Sequence, residues 1–574
     1  MMRTLLYSII ALILVAFVYW FFSENEEITF DEKTIAEGKA LFTRNCMSCH
    51  GLQDDGFGPP LGGVTRLLSK EKLVNFINDP AKVLESGDER TAALHKRYKQ
   101  IMPAFEWMKE SEINSIIAYI QHETERHSIQ PLSLESTDEV AGLTGRLVAP
   151  VNSSDLSISV KKVVQLPRIG DSSDLGVVTL RAHPSGDGTL LASDQHGVIY
   201  RIKDGKYDIF LDIHDYVEDF QSGPGIATGL GSFDFHPDFL NNGLLYISHA
   251  ETYKGQQADY TATTDSLKSV VQWIVGEWKM DDPKSTVFEG TRREMLRLHA
   301  PNFAHGCQEL AFVPDLDKND PDYGLLYFGY GDGGSNNIKR PELGHHLKSF
   351  LGSIMRIDPA GNNSNNGKYG IPNSNPFSNE SDPEIVKEIY AYGFRNPHRM
   401  TWDKANGNRM LATDIGEANI EELNVIENGG DYGWPNREGD YGIATLKDVK
   451  TVFKLQPSDL ELYNRPLLQY DHEEGNAISG GHIYDGDIEL LRNKYIFGDI
   501  VRGKLYFANM DAQLSDSTIY ELPIRYEDKS TNFKELCTTN RLHLRVVYDQ
   551  IQKQLYIITK VDGKIWRVVD ANRS

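Results

Sequence analysis

Apolar positions along this chain change their period twice, and the changes divide it into regions. The first region is a continuous apolar run from Leu5 to Phe22, about 18 residues, long enough to cross a bilayer as a helix. Arg3 precedes the run and Glu24, Glu26 and Glu27 follow it, which predicts a cytoplasmic N-terminus and an exported remainder. Tyr19, Trp20, Phe21 and Phe22 suit the outer interface. No small-x-small cleavage site follows, so residues 1–23 are expected to be an uncleaved transmembrane anchor. In the second region the period becomes helical. Ile35, Leu41 and Phe42, and later Ile113, Ile116, Ile117 and Ile120, recur as one face of a helix would. A glycine- and proline-rich loop, GLQDDGFGPPLGGV, separates them. Residues 30–127 therefore predict a small all-α domain, and residues 128–158, where periodicity fades into Ser, Pro, Thr and Asp, a linker.

Beyond the linker the apolar residues alternate, as strands require. Six segments share the pattern: GTLLASDQHGVIYRI from Gly188, GLLYISHAE from Gly243, GLLYFGYGDGGS from Gly324, GNRMLATDIGE from Gly407, NKYIFGDIVRGKLYFA from Asn493 and KQLYIITKVDGKIWRVV from Lys553. Their starts lie about 55 to 86 residues apart, the length of a four-stranded blade with long loops. The expected fold class is multidomain: an N-terminal transmembrane helix, an all-α domain, and an all-β six-bladed propeller over residues 159–574.

Charge and cysteine content narrow the functions open to such a chain. Its 574 residues carry 82 acidic and 59 basic side chains, a net charge of −23. That balance excludes nucleic acid as a partner, because phosphate binding needs a basic surface. Four cysteines are too few for a disulfide-built scaffold. Two of them stand in CMSCH, leaving Cys307 and Cys537, whose pairing the sequence leaves open.

CMSCH carries the most specific chemistry. The thiols of Cys46 and Cys49 are spaced to add to the two vinyl groups of a haem, and His50 then becomes an iron ligand. Zinc would need a second ligand pair, and none is evident. A redox dithiol would have no need of His50. Haem c, and with it electron transfer, is the expectation. Residues Phe30 to about Thr124 resemble the class I cytochromes c: Gly38 and Phe42 match the glycine and aromatic of that family's first helix, and Tyr119 the aromatic of its last. The resemblance implies a methionine as second axial ligand. Met102, in IMPAF, falls at that place, with Met108 as the alternative.

The propeller resembles the soluble PQQ-dependent glucose and aldose sugar dehydrogenases over most of Val160 to Val569. The likeness is carried by GLGSFDFHPDFLNNGLLYIS, GLLYFGYGDGGSNN, LGSIMRIDP, EIYAYGFRNPHR and NGGDYGWPN. It implies hydride transfer from a sugar hydroxyl carbon to PQQ, with His305 as the base and Asp332 as the carboxylate behind it. It implies a cationic PQQ pocket containing Arg395 and Asn396. Arg502 stands where the family has lysine, and Arg541, Arg545 and Lys560 complete the positive set. A Ca²⁺ held by backbone carbonyls would fall at Gly416 and Glu417, where the family's proline is missing. Other departures are Ala304 before the base, and Ala227 and Thr228 where the glucose enzymes place a glutamine.

Together these features imply a membrane-anchored quinohaemoprotein dehydrogenase of the inner membrane, its soluble domains in the periplasm. It would oxidise a sugar or related alcohol and pass electrons through haem c to a downstream cytochrome or respiratory-chain acceptor. Two other readings stand beside it. In one, the propeller is a cofactor-free binding module fused to an electron-transfer cytochrome; in the other, it is a calcium-dependent hydrolase.

Overall fold

The computed structural model describes residues 31–46, 50–53, 58–98, 102, 104–105, 108–134, 143, 145–167, 176–224, 227–262, 268–338, 340–444, 448–455, 462–511, 513–514, 516–537 and 542–573. The expected membrane anchor, Cys49 and Arg541 lie outside them. Among the described residues no helix is long and apolar enough to cross a membrane.

Five helices form the N-terminal domain: α1 (Glu32–Asn45), α2 (Lys70–Asn78), α3 (Pro80–Glu85), α4 (Glu89–Tyr98) and α5 (Glu110–Arg126). Asp31 starts α1 by accepting the Thr34 N–H at 2.8 Å, and Glu112 caps α5 by accepting the Lys109 N–H, each satisfying a backbone donor the helix end leaves open. The first and last helices cross where Gly38 meets Ser115. A Cβ at Gly38 would collide with the Ser115 carbonyl, so only glycine permits this approach. Beside the crossing, the rings of Phe42 and Tyr119 pack with centroids 5.3 Å apart. The helical periodicity thus predicts the first and last helices, and the structure adds their contact.

Six sheets follow in a ring. Their inner strands are Val177–Ala182, Leu230–Phe235, Glu309–Phe312, Pro397–Asp403, Ile478–Ile483 and Leu544–Asp549, for blades one to six. Each packs on the next, and the sixth returns to the first. The strand Leu156–Gln165 joins blade six antiparallel to Lys564–Arg573. Chain start and chain end therefore share a blade, which closes the ring without leaving an edge at the junction. Each repeated segment of the sequence supplies the second strand of one blade: Leu190–Asp194, Leu244–Thr252, Leu326–Tyr330, Arg409–Asp414, Lys494–Asp499 and Gln554–Thr559. The repeats mark the blades because these strands are buried on both faces and read as nearly continuous apolar runs.

Blade four carries an additional three-stranded sheet, Arg437–Glu438, Tyr441–Ala444 and Asp448–Lys454, inserted before its outer strand. The linker is laid against the same region. Leu147 and Val148 donate backbone N–H groups to Asp471, at 2.8 and 3.1 Å, and Arg146 pairs with Glu474 at 2.6 Å. A shallow cavity of about 390 Å³ is lined by Ala36, Lys39, Ala40 and Thr43 of α1 and by Gly223 and Pro224. The helical domain therefore faces the propeller beside the segment that precedes Ala227. Cys307 and Cys537 lie in different cores and are not bonded to one another.

Candidate functional site

Two sites carry the chemistry, and both are built on a buried histidine. In the helical domain, the backbone N–H of His50 donates to the carbonyl of Cys46, the residue after α1, at 2.9 Å. The ring Nδ1–H donates to the Pro59 carbonyl at 2.8 Å. This fixes the tautomer and leaves the lone pair on Nε2, the nitrogen that binds a metal. Burial holds the imidazole pKa below its usual value, although the Pro59 carbonyl works against this. A side chain at Gly58 would strike the His50 ring, so glycine is needed there. Met102 is half-buried at the rim of the domain core, whereas Met108 is fully packed within it. Of the two methionines, Met102 is the one left at a boundary where a ligand can sit. The donor set of Cys46, His50 and Met102 fits haem c.

In the propeller the strands alternate in direction. The loops leading into inner strands and those joining second to third strands therefore emerge on one face. His305 precedes the inner strand of blade three and Asp332 follows that blade's second strand. Arg395 and Asn396 precede the inner strand of blade four; Gly416 and Glu417 follow its second strand. Arg502 and Lys560 follow the second strands of blades five and six, and Arg545 lies at the start of blade six's inner strand. The topology thus puts His305, Asp332, Arg395, Asn396, Gly416, Glu417, Arg502 and Lys560 on loops of one face, the mouth of the propeller.

His305 and Asp332 meet there, Nδ1 to Oδ1, at 2.6 Å. Their side chains are 9% and 1% exposed. His305 holds a left-handed backbone (φ 52°), a strained conformation for a residue with a Cβ and one that concentrates at working sites. Gly331 makes room for the pair: a Cβ there would stand 2.5 Å from His305 Cβ and 3.0 Å from Asn396 Oδ1. Burial alone would raise the Asp332 pKa, but His305 and Arg395 outweigh it and hold the carboxyl below its ordinary value. Both carboxylate oxygens accept from other donors, the Gly334 N–H, the Ser335 hydroxyl and the Trp434 indole, so Asp332 is the acceptor and His305 Nδ1 the donor of the shared bond.

The cations behave differently from one another. Arg395 is 1% exposed and donates through Nε to Glu417 at 2.5 Å and through Nη1 to the Ile415 carbonyl at 3.0 Å. The resemblance places Arg395 toward a cofactor; the structure turns part of its fork onto the very residue that replaces the family's proline. Asn396 anchors the same loop, its backbone N–H donating to Asp414 at 2.6 Å. Arg502 is held by neutral acceptors, the side chain of Asn476 and the carbonyls of His472 and Glu473. Lys560 donates to Gln195 at 2.6 Å and Arg545 to the Leu544 carbonyl at 3.0 Å. Below the mouth, Ala227, Thr228, His398, Arg399, Arg545 and Lys560 line an enclosed space of about 10 Å³. That holds one water-sized group, so any larger ligand binds above it. Burial and the neighbouring Arg399, Arg545 and Lys560 keep His398 well below its usual pKa.

These donors suit a planar polyanion such as PQQ: Arg502, Arg545 and Lys560 bring positive charge to the mouth, and arginine forks match carboxylates. Gly416 and Glu417 offer backbone carbonyls of the type calcium takes. Among the described residues no cluster of three His, Cys, Asp or Glu side chains is placed to hold a metal.

Sequence reasoning missed two residues here. One is the Glu417 side chain, valued only for its carbonyl. The other is Trp434, whose Nε1–H donates to Asp332 Oδ2 at 3.1 Å. It stands in NGGDYGWPN, a motif that marks the fold without pointing to a site.

Comparison with known proteins bears on both domains. Residues 35–124 match the cytochrome c family and residues 179–567 the family described as Glucose / Sorbosone dehydrogenase. The HIPL1 protein of Arabidopsis thaliana is 23% identical over 501 residues, 76% of this chain and 67% of that protein. Quinoprotein glucose dehydrogenase B of Acinetobacter calcoaceticus is 27% identical over 413 residues, 59% of this chain and 74% of its own. In fold, the soluble aldose sugar dehydrogenase of Escherichia coli, solved in its apo form, superposes with a TM-score of 0.51 at 18% identity, over 73% of this chain and all of that one. The chain belongs to the glucose/sorbosone dehydrogenase family, with a cytochrome c domain ahead of the propeller.

Proposed function

We propose that this chain is a cytochrome-linked quinoprotein dehydrogenase that oxidises a hydroxyl group of a sugar or related alcohol and delivers the electrons to haem c. The observation that carries the reading is the 2.6 Å contact between His305 and Asp332 at the propeller mouth. With Nδ1–H given to an ionised carboxylate, the lone pair of His305 lies on Nε2. That nitrogen takes the hydroxyl proton, and Asp332 stabilises the imidazolium that results. PQQ, when bound, supplies the two-electron acceptor for the hydride from the hydroxyl carbon. Arg502, Arg545 and Lys560 would bind its carboxylates, and the backbone carbonyls of Gly416 and Glu417 would hold a calcium ion. His50 and Met102 hold the haem iron, and Cys46 with Cys49 fix the haem covalently.

The cytochrome domain faces the propeller at Gly223 and Pro224, next to the segment that reaches the mouth. Covalent attachment gives the one-electron acceptor a high effective concentration. The run Leu5–Phe22 anchors the chain in the inner membrane with both domains in the periplasm, where a downstream cytochrome or respiratory-chain acceptor takes the electrons.

A second reading has one observation in its favour. Glu417 already occupies part of the Arg395 fork, which suits a propeller that binds a partner without PQQ. The test is to supply PQQ and Ca²⁺ to the exported, haem-loaded protein and measure oxidation of a panel of aldoses and polyols with a dye acceptor. Turnover that needs PQQ and disappears in His305→Ala supports the dehydrogenase. Absence of both PQQ binding and turnover with every substrate supports the binding module.

A further inference from the structure

We propose that Trp434 is a positioning residue for the His305–Asp332 pair, holding the second carboxylate oxygen so that the first stays on the base. The inference rests on the dehydrogenase reading for its kinetic consequence, though not for its geometry. Among the described residues the Asp332 carboxylate accepts four hydrogen bonds. Oδ1 takes His305 Nδ1 at 2.6 Å and the Gly334 N–H at 2.8 Å. Oδ2 takes the Ser335 hydroxyl at 2.9 Å and the Trp434 indole at 3.1 Å. Gly334 and Ser335 belong to the same turn as Asp332 and move with it. Trp434 comes from blade four, 102 residues away in sequence, and ties the carboxylate to a separate rigid element.

That element is itself fixed. The Trp434 backbone N–H donates to the Gly393 carbonyl at 2.8 Å. The Gly433 N–H donates to Asp431 at 2.9 Å, and Asp431 pairs with His345 Nε2 at 2.7 Å. The indole is 2% exposed, with the Arg395 guanidinium 5.9 Å from its centroid. Gly344 closes the other side: a Cβ there would stand 3.0 Å from Asp332 Cβ and 3.4 Å from Trp434 Cδ1. In so dry a site an N–H donor to an ionised acceptor withdraws a real share of its charge. Removing the donor concentrates that charge on the bond to His305 and raises the proton affinity of the imidazole. The titratable and charged groups facing the pair are Arg395 from the loop before blade four's inner strand and His398 from that strand, with Glu417 behind Arg395. None of them changes in the test.

The test compares the full haem-loaded chain with Trp434→Phe, which keeps the ring and loses the N–H, and Trp434→His, which restores a ring donor. The His305 imidazole is titrated by NMR without sugar or PQQ, and its resonance is assigned with His305→Gln. The expected result is an upward shift of about half a pH unit or more in Trp434→Phe, partly reversed in Trp434→His. In the PQQ-loaded enzyme the acid limb of the kcat profile moves by the same amount. At its optimum kcat falls roughly tenfold while KM changes little, the scale of one charge-assisted bond partly lost. An unmoved His305 titration in Trp434→Phe overturns the proposal. If the wild-type chain shows no PQQ-dependent turnover, the dehydrogenase reading fails, and the NMR shift still decides the role of Trp434. Should Trp434→Phe fail to fold, the wild-type indole proton is followed instead. It shifts with the His305 midpoint if the bond exists, and independence from that midpoint overturns the proposal.

Discussion

The two domains use one device with different partners. His50 and His305 are both buried and both give up Nδ1, so that Nε2 faces the chemistry. His50 donates to a backbone carbonyl, which is neutral; His305 donates to Asp332, which is ionised. A metal ligand must stay neutral and hold still: the Pro59 carbonyl provides the orientation, and burial outweighs its pull toward a second proton. A base must accept a proton, and the carboxylate stabilises the cation that follows. The charge of the second partner, more than the histidine itself, separates the electron carrier from the site of proton transfer.

Changing those partners tests the comparison. The largest expected effect is at Asp332→Asn, which keeps the shape and loses the charge: kcat falls by roughly 10³–10⁴-fold, while the haem spectrum of the same protein stays unchanged. Glu417→Ala comes next. It removes the carboxylate that pairs with the buried Arg395 guanidinium, costing about 3 kcal/mol of propeller stability in chemical denaturation. Changing both residues together, Glu417→Ala with Arg395→Leu, returns much of that loss. A smaller effect follows Gly58→Val, which pushes against the His50 ring. The haem midpoint potential and its axial-ligand bands change, and dye-linked sugar oxidation does not. The smallest effect lies at acid pH. Because Asp332 is held below its ordinary value, its contribution to stability is present above about pH 4. It is lost as the pH falls through the lower folded value. The stability gap between wild type and Asp332→Asn therefore narrows below pH 4, measurable by thermal unfolding across that range.

The blades were legible because their second strands are buried on both faces and recur with a glycine or polar turn at one end. The cytochrome c domain was legible because covalent haem attachment requires the spacing of CMSCH. His305 and Asp332, 27 residues apart, were found through a resemblance, and only the loops of blade three bring them to 2.6 Å. The Glu417–Arg395 pair and the Trp434 bond were not legible. Neither has a local spacing, and both depend on loops that converge from different parts of blade four and its neighbour. The closing strand Leu156–Gln165 was partly hidden for a related reason. Its partner, Lys564–Arg573, lies about 400 residues away, and part of it falls in what the composition marks as linker.

One measurement reaches the centre of the account: single-turnover reduction of the haem in the PQQ- and Ca²⁺-loaded full chain on mixing with a reactive aldose. Wild type is expected to reduce its own haem at a rate independent of protein concentration, and His305→Ala to leave the haem oxidised. Haem reduction that proceeds equally well in His305→Ala, or that slows in proportion as the protein is diluted, contradicts an internal path from the propeller base to the cytochrome.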